Sequence, residues 1–208
     1  MTSITAQTIH GRCFLLTDST PHRPTESGVD DNARSSVLAM IRAILLTGSP
    51  GAGKSTVLEA LAGLLAEDRV PHAAFESEQL AAGYPWLAEE QAYAALAVTC
   101  RALRELGRDL FLIAGTTETD AHIEGLKAAV GADETIVVCL RADPETAARR
   151  VFEREPPEWA GRDALVAAAR GLATQIPALR GIDLLVNTDG RRPRDVAREI
   201  RSKLPALQ

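Results

Sequence analysis

One nine-residue stretch constrains this chain more than any other: residues 48–56 read GSPGAGKST. Four of its positions satisfy the pattern G-x-x-x-x-G-K-[ST], and it lies between a predicted strand and a predicted helix. Glycines let the backbone curl so that several N–H groups point at one anion, and the helix adds the positive end of its dipole. The stretch predicts a phosphate-binding loop made of Gly48, Ser49, Pro50, Gly51, Ala52, Gly53, Lys54, Ser55 and Thr56.

Two side chains of this loop carry specific chemistry. In such a loop the lysine, here Lys54, reaches the β and γ phosphates of a nucleotide. The following hydroxyl, here Ser55, coordinates Mg²⁺. The loop therefore predicts binding of a nucleoside triphosphate, ATP, with Mg²⁺ as cofactor.

Strand and helix patterns alternate around the loop. Short apolar runs predict strands at 41–47, 70–75, 109–114, 134–140 and 182–186. Helical spacing, caps and glycine stops predict helices at 54–67, 89–106, 120–130, 143–154, 163–176 and 193–203. Near-continuous apolar strands separated by helices indicate an α/β fold with three layers, in which a five-stranded, mostly parallel sheet has helices on both faces.

Residues 1–39 differ from the rest of the chain. They are rich in Ser, Thr, Asp and His, and they predict an irregular or mobile extension, with an edge strand at 9–16. The compact domain is expected to span residues 40–208.

Composition limits the partners. The formal charge is −5, and a broad nucleic-acid surface would show as a basic excess, so no nucleic-acid partner is expected. No apolar run reaches the roughly 18 residues that a membrane span needs. Cys13, Cys100 and Cys139 lie far apart and indicate reduced thiols, with Cys139 buried, so we expect a cytoplasmic protein.

Three further segments carry residues suited to phosphoryl transfer. Glu76 and Glu78 follow the second predicted strand, and a Thr-Thr-Glu segment follows the third. Arginines follow the fourth strand on a predicted helix and after a Pro-rich loop. With these features, residues 40–208 resemble the compact P-loop kinases, such as adenylate, gluconate, shikimate and adenylylsulfate kinases. The resemblance implies ATP-dependent transfer of the γ-phosphoryl group to a hydroxyl of a small metabolite, beneath a small helical lid.

The resemblance implies that the acidic pair helps to hold Mg²⁺ or orients the acceptor hydroxyl. Glutamate stands here where those kinases carry an acidic residue or Asp-x-Asp, so the division of roles between Glu76 and Glu78 stays open. Glu76, nearest the strand end, is the favoured metal ligand. The alternative is that the pair only complements a helix dipole.

The third strand ends without the acidic residue that many P-loop ATPases carry there, which counts against a motor ATPase. Thr116, Thr117 and Glu118 follow instead. They are candidates for lining the acceptor pocket, or they merely turn the chain and cap the next helix.

The resemblance assigns Arg150, Arg154 and Arg162 to the lid. There they would neutralise charge on the transferring phosphoryl group while the lid excludes water. The alternative for each is a solvated surface residue. Arg149 is expected to face another side.

Two aromatic residues stand out because aromatics make up 4% of the chain. Tyr84 and Trp86 are candidates for a pocket wall that contacts an apolar or ring-bearing acceptor, or else core anchors. The loop at 187–193 corresponds to a segment that packs against adenine in the kinases.

The competing function is a nucleotide-dependent regulatory ATPase or switch with a protein partner. A GTPase is disfavoured because no Asn-Lys-x-Asp motif is present. Intact Lys54 and Ser55 argue against a non-catalytic binding module. The sequence leaves the acceptor and the oligomeric state open.

Overall fold

The computed structural model describes residues 40–204. The predicted extension at 1–39, with its edge strand and Cys13, therefore lies outside the described residues. Within residues 40–204, no helix is long and apolar enough to cross a bilayer.

The centre of the fold is a five-stranded sheet in the order β2-β3-β1-β4-β5. The strands are β1 Arg42–Thr47, β2 Ala73–Glu76, β3 Leu110–Ala114, β4 Glu134–Arg141 and β5 Leu184–Asn187. Each neighbouring pair is parallel, for example Ile44 of β1 opposite Leu112 of β3 and Ile136 of β4. The α/β three-layer prediction is confirmed, with a sheet that is wholly parallel.

Seven α-helices surround the sheet in the described part of the chain. They are α1 Lys54–Glu67, α2 Ser77–Ala81, α3 Glu89–Glu105, α4 Asp120–Val130, α5 Pro144–Arg154, α6 Arg162–Gln175 and α7 Pro193–Lys203. The predicted helix signals hold: Asp143 caps α5 by accepting hydrogen bonds from the N–H groups of Glu145 and Thr146, and Gly131 ends α4 at φ 60°.

The central strands are buried on both faces because side chains alternate across the sheet. Ile44 and Leu46 pack toward α1 and α7, whereas Ala43 and Leu45 pack toward α3 and α4. Cys139 is buried as predicted, and burial raises the pKa of its thiol to about 11. This core places the carboxyl ends of the strands along one edge, where ligands of parallel sheets bind.

Two features differ from the sequence expectation. Helix α2 follows β2 directly, and its five residues are too few to show a helical period. The predicted strand at 70–75 begins at Ala73, because Val70 follows the αL residue Arg69 and packs against the core.

Helices α5 and α6 pack on each other around Val151 and Leu165, and they form the small helical unit predicted after the fourth strand.

Candidate functional site

The loop between β1 and α1 has a backbone that requires glycine at Gly51. Gly51 has φ 80°, and a Cβ at this position would collide with the backbone carbonyl of Ala147 in α5. Within the described residues, the N–H groups of Gly51, Gly53, Lys54 and Ser55 donate no hydrogen bond. The loop is therefore a cradle of unpaired donors at a helix N-terminus, which suits a phosphate.

The side chain of Lys54 folds back over the loop that carries it. Its ammonium group donates hydrogen bonds to the carbonyl oxygens of Gly48 at 3.0 Å and Ser49 at 3.2 Å. These carbonyls are acceptors that phosphate oxygens can replace.

The acidic pair lies beside this lysine. Burial lowers the pKa of Lys54, and the nearby charge that most opposes this shift is Glu78, followed by Glu76. One oxygen of Glu78, Oε1, accepts a hydrogen bond from the backbone N–H of Thr116 at 2.7 Å. A carboxylate from α2 thus reaches the tip of β3, where the strand itself supplies no acid. The roles of the two glutamates stay predictions.

The segment after β3 divides into a buried and an exposed part. Thr117 is 2% exposed, and its hydroxyl pairs with that of Thr47 at 2.6 Å. This hydrogen bond holds the turn after β3 against β1, so the Thr117 hydroxyl already has a partner. Thr116 is half-buried and Glu118 is exposed, so these two remain available to line an acceptor pocket.

Arg150 lies beside the phosphate loop. Its Nη1 atom donates to the carbonyl oxygen of Gly51 at 3.1 Å and to the hydroxyl of Thr188 at 3.4 Å. Asp189, 3.7 Å away, adds an ion pair. Arg150 therefore joins the phosphate loop to the β5–α7 loop, the segment predicted to pack against adenine.

The other two candidate arginines have different surroundings. Arg154 is half-exposed and pairs with Glu155, and its positive charge contributes to the lowered pKa of Lys54. Arg162 lies over the ring of Phe152, 3.6 Å from its centroid, and donates to the Phe152 carbonyl at 2.7 Å. Arg154 is thus held by Glu155, and Arg162 closes the end of α5.

The aromatic pair lies in the connection between α2 and α3. Tyr84 is 100% exposed, which excludes the core-anchor interpretation for that residue. Trp86 is half-buried. Their contact with an acceptor stays a prediction.

A polar cluster that the sequence did not predict ties α3 to α4. The Tyr93 hydroxyl donates to the carboxylate of Glu89 at 3.0 Å. The Nδ1 atom of His122 accepts a hydrogen bond from the backbone N–H of Glu118, so the Nε2 atom carries the proton and donates to Glu89 at 2.9 Å. Partial burial opposes ionisation of Glu89, but these hydrogen bonds hold its pKa below the usual value. Glu89 and His122 are 33 positions apart, so no sequence spacing signals the contact.

The donor atoms near the loop fit Mg²⁺ only in combination with phosphate. Within residues 40–204, no group of three or more His, Cys, Asp or Glu side chains is placed to hold a metal ion. Ser55 offers a hydroxyl, and Glu76 and Glu78 offer carboxylates, which are the oxygen ligands that Mg²⁺ prefers. Because Mg²⁺ in nucleotide sites takes few protein ligands and several phosphate oxygens, this set suits it.

A parallel sheet with a glycine-rich loop, lysine and serine at the end of its central strand defines a P-loop protein. More specifically, the chain belongs to the AAA domain family, which matches residues 44–175. No curated protein sequence matches the chain.

Solved kinase structures share this fold. The chain is similar to a sugar kinase from Janibacter sp., with 16% identity over 78% of this chain and 93% of that chain, at a TM-score of 0.56. It is also similar to the APS kinase of Mycobacterium tuberculosis in complex with AMPPNP and APS, with 18% identity over 78% and 96% of the two chains, at a TM-score of 0.55. At these identities the likeness is one of fold, and the predicted three-layer P-loop fold is confirmed.

Proposed function

We propose that this protein is an ATP-dependent phosphotransferase that moves the γ-phosphoryl group to a hydroxyl of a small metabolite. The observation that carries the proposal is the loop of unpaired amides closed by Lys54, whose ammonium group donates to the carbonyl oxygens of Gly48 and Ser49. Phosphoryl transfer needs positioning and charge neutralisation more than covalent chemistry, and this arrangement offers both. The kinase names of the similar structures support it.

On the donor side, the loop amides bind the phosphates, and Lys54 leaves the carbonyls of Gly48 and Ser49 to contact the β and γ phosphates. Ser55 and Glu76 are the proposed metal ligands. Bound Mg²⁺ would neutralise phosphate charge and orient the chain of phosphates. Arg150 supports the base side through the β5–α7 loop.

On the acceptor side, Glu78 orients the attacking hydroxyl and accepts its proton. The Thr116 amide fixes one oxygen of this carboxylate and leaves the other, Oε2, to interact with Ser77 or an acceptor. The wall of the acceptor pocket is formed by Tyr84, Trp86, Thr116 and Glu118. Thr117 holds this wall in place. Arg154 and Arg162 belong to the helices that cover the reacting groups.

The test is a comparison of wild type with Lys54→Ala. Wild type should convert ATP to ADP and form a phosphorylated product in a screen of sugars, nucleotides, amino-alcohols and antibiotics, whereas Lys54→Ala should keep its fold and form none. Turnover of ATP with no phosphorylated product, together with nucleotide-dependent binding of a protein, would support the regulatory ATPase instead.

The same assay tests the domain division. A chain that begins at Met40 should retain transfer if residues 40–208 are the catalytic unit and residues 1–39 are an extension.

A further inference from the structure

Glu155 is a buried carboxylate that no sequence motif singled out. It is the first residue after α5 and is 4% exposed, and its backbone N–H donates to the carbonyl of Val151 at 3.0 Å. A carboxylate in such a place is unfavourable unless a cation or hydrogen-bond donors compensate its charge.

The compensating cation is Arg154, the preceding residue. Its Nε atom lies 2.8 Å and its Nη2 atom 2.6 Å from the same oxygen, Oε1 of Glu155. The two side chains differ sharply in exposure, because 50% of the Arg154 side chain is accessible and only 3% of that of Glu155. The edge of the guanidinium that carries Nε and Nη2 is therefore fixed to the buried carboxylate of Glu155, and the rest of the group is exposed.

Arg154 follows Arg150 by one turn of α5 and shares its helix face, and Arg150 donates to the Gly51 carbonyl of the phosphate loop at 3.1 Å. The guanidinium of Arg154 therefore lies on the side of α5 that faces the loop, where its charge also lowers the pKa of Lys54. Among residues 40–204, the Nη1 group of Arg154 has no hydrogen-bond acceptor. It is thus a charged donor left free beside a cradle for phosphates.

Another arginine pair in the same helical unit shows what an ordinary surface bridge looks like. Arg170 of α6 forms two hydrogen bonds with Glu145 of α5, at 2.6 and 2.9 Å, but 72% of the Glu145 side chain is exposed. Exposed pairs of this kind contribute little and are screened by salt. The burial of Glu155 distinguishes its pair with Arg154.

We infer that Glu155 is a positioning residue, whose buried carboxylate holds Arg154 so that the free edge of the guanidinium meets the phosphoryl group in transfer. The inference rests on the proposed phosphotransferase function. Its physical basis is preorganisation: a guanidinium fixed during folding stabilises developing charge without being ordered again at the moment of reaction.

The experiment measures binding of ADP with Mg²⁺, with and without aluminium fluoride, which mimics a phosphoryl group in transfer. The ratio of the two affinities reports on the transition-state contacts and needs no acceptor. The variants are Glu155→Gln, which keeps the size, Glu155→Asp, which keeps the charge but retracts it, Arg154→Ala, and the Arg154→Ala/Glu155→Gln double variant. Glu145→Gln is the matched control on α5.

Glu155→Gln should lower the ratio about tenfold while the affinity for ADP alone stays unchanged, and Arg154→Ala should lower it about a hundredfold. Glu155→Asp should fall between wild type and Glu155→Gln. The double variant should match Arg154→Ala, because Glu155 acts only through Arg154. Glu145→Gln should leave the ratio at its wild-type value.

The inference is overturned if Glu155→Gln weakens ADP and the fluoride complex equally, since that is the effect of a merely structural residue. It also fails if the two substitutions add in the double variant, or if the folded Glu155→Asp protein keeps the full ratio. A wild-type protein that binds ADP equally well with and without fluoride contradicts the proposed function itself, and the role of Glu155 falls with it.

Discussion

The donor side of the proposed site is formed by backbone, whereas its acceptor side is formed by side chains. The donor side is one continuous backbone segment, residues 48–55, whose unpaired amides and glycine conformations form the cradle directly. The acceptor side is a set of side chains from α2, the α2–α3 connection and the turn after β3, and one of them, Tyr84, is fully exposed.

This difference separates residues of the site that tolerate few substitutions from residues that can be replaced. A backbone cradle tolerates few substitutions because its geometry depends on φ angles and close contacts. Side chains on connecting segments can be replaced without disturbing the sheet. Phosphate binding and acceptor choice should therefore respond to mutation almost independently.

The largest effect is expected when the donor side is broken at Gly51. The Gly51→Ala variant combines a φ of 80° with a collision against the Ala147 carbonyl. We expect ATP affinity to fall about a hundredfold or more and the free energy of unfolding to fall by about 3 kcal/mol. Calorimetric ATP titration and denaturant unfolding measure the two effects.

Gly107 provides the control, because it has φ 78° and no atom within 4 Å of an added Cβ. Gly107→Ala should cost only about 1 kcal/mol of backbone strain and leave ATP affinity near wild type. Equal losses at both glycines would show that the cradle contact is unimportant.

The next largest effect is expected at Glu78 and Glu76, where the donor side meets the acceptor side. Glu78→Gln should reduce phosphoryl transfer about a hundredfold, because the amide cannot take a proton, while ATP affinity changes little. Rates in the product-forming assay and ATP titration separate these quantities. Glu76→Gln should instead raise the Mg²⁺ concentration needed for half-maximal rate. A reversed pattern would exchange the two roles.

A smaller effect is expected where α3 and α4 support the acceptor side. A Cβ at Gly125 would lie 2.6 Å from the ring of Tyr93, whose hydroxyl has its pKa raised by burial to about 12. Gly125→Ala should lower the free energy of unfolding by about 2 kcal/mol through overpacking, with ATP affinity unchanged. Thermal unfolding with and without ATP checks both.

The matched control is Gly171→Ala in α6, where no atom lies within 4 Å of an added Cβ. It should stabilise the protein by about 0.5–1 kcal/mol through helix propensity. Destabilisation there as large as at Gly125 would contradict the packing explanation.

The smallest effect on the fold is expected at Tyr84. Because this residue is fully exposed, Tyr84→Ala should change the free energy of unfolding by less than about 0.5 kcal/mol. ATP affinity should also stay constant, and only the KM for the acceptor should rise. A lower ATP affinity would mean that the two sides are not separable.

Local signals in the sequence predicted the sheet and the position of the glycine loop well. The apolar runs of β1, β3 and β4 and the glycine loop each depend on neighbours in the chain, so a short window contains them. The N-cap of α5 at Asp143 and the stop at Gly131 are local in the same sense.

What the sequence could not predict depends on contacts across the fold. Thr47 and Thr117 are 70 positions apart, and their pairing commits a hydroxyl that seemed free for an acceptor. Glu155 follows a helix rich in exposed charge, and nothing in the neighbouring residues signals that its side chain is buried. Arg150 and Arg162 share a segment with Arg154, yet packing sends each to a different partner.

The bridge made by Arg150 has a thermodynamic consequence. It joins Gly51 to Thr188, which are 99 and 38 positions away from it in the chain. A ligand that stabilises the phosphate loop would therefore also stabilise the β5–α7 connection, since the two share one guanidinium. Loss of β5 would in turn weaken phosphate binding. A bound nucleotide would thus act as a reversible cross-link between β1, the central strand of the sheet, and β5 at its edge.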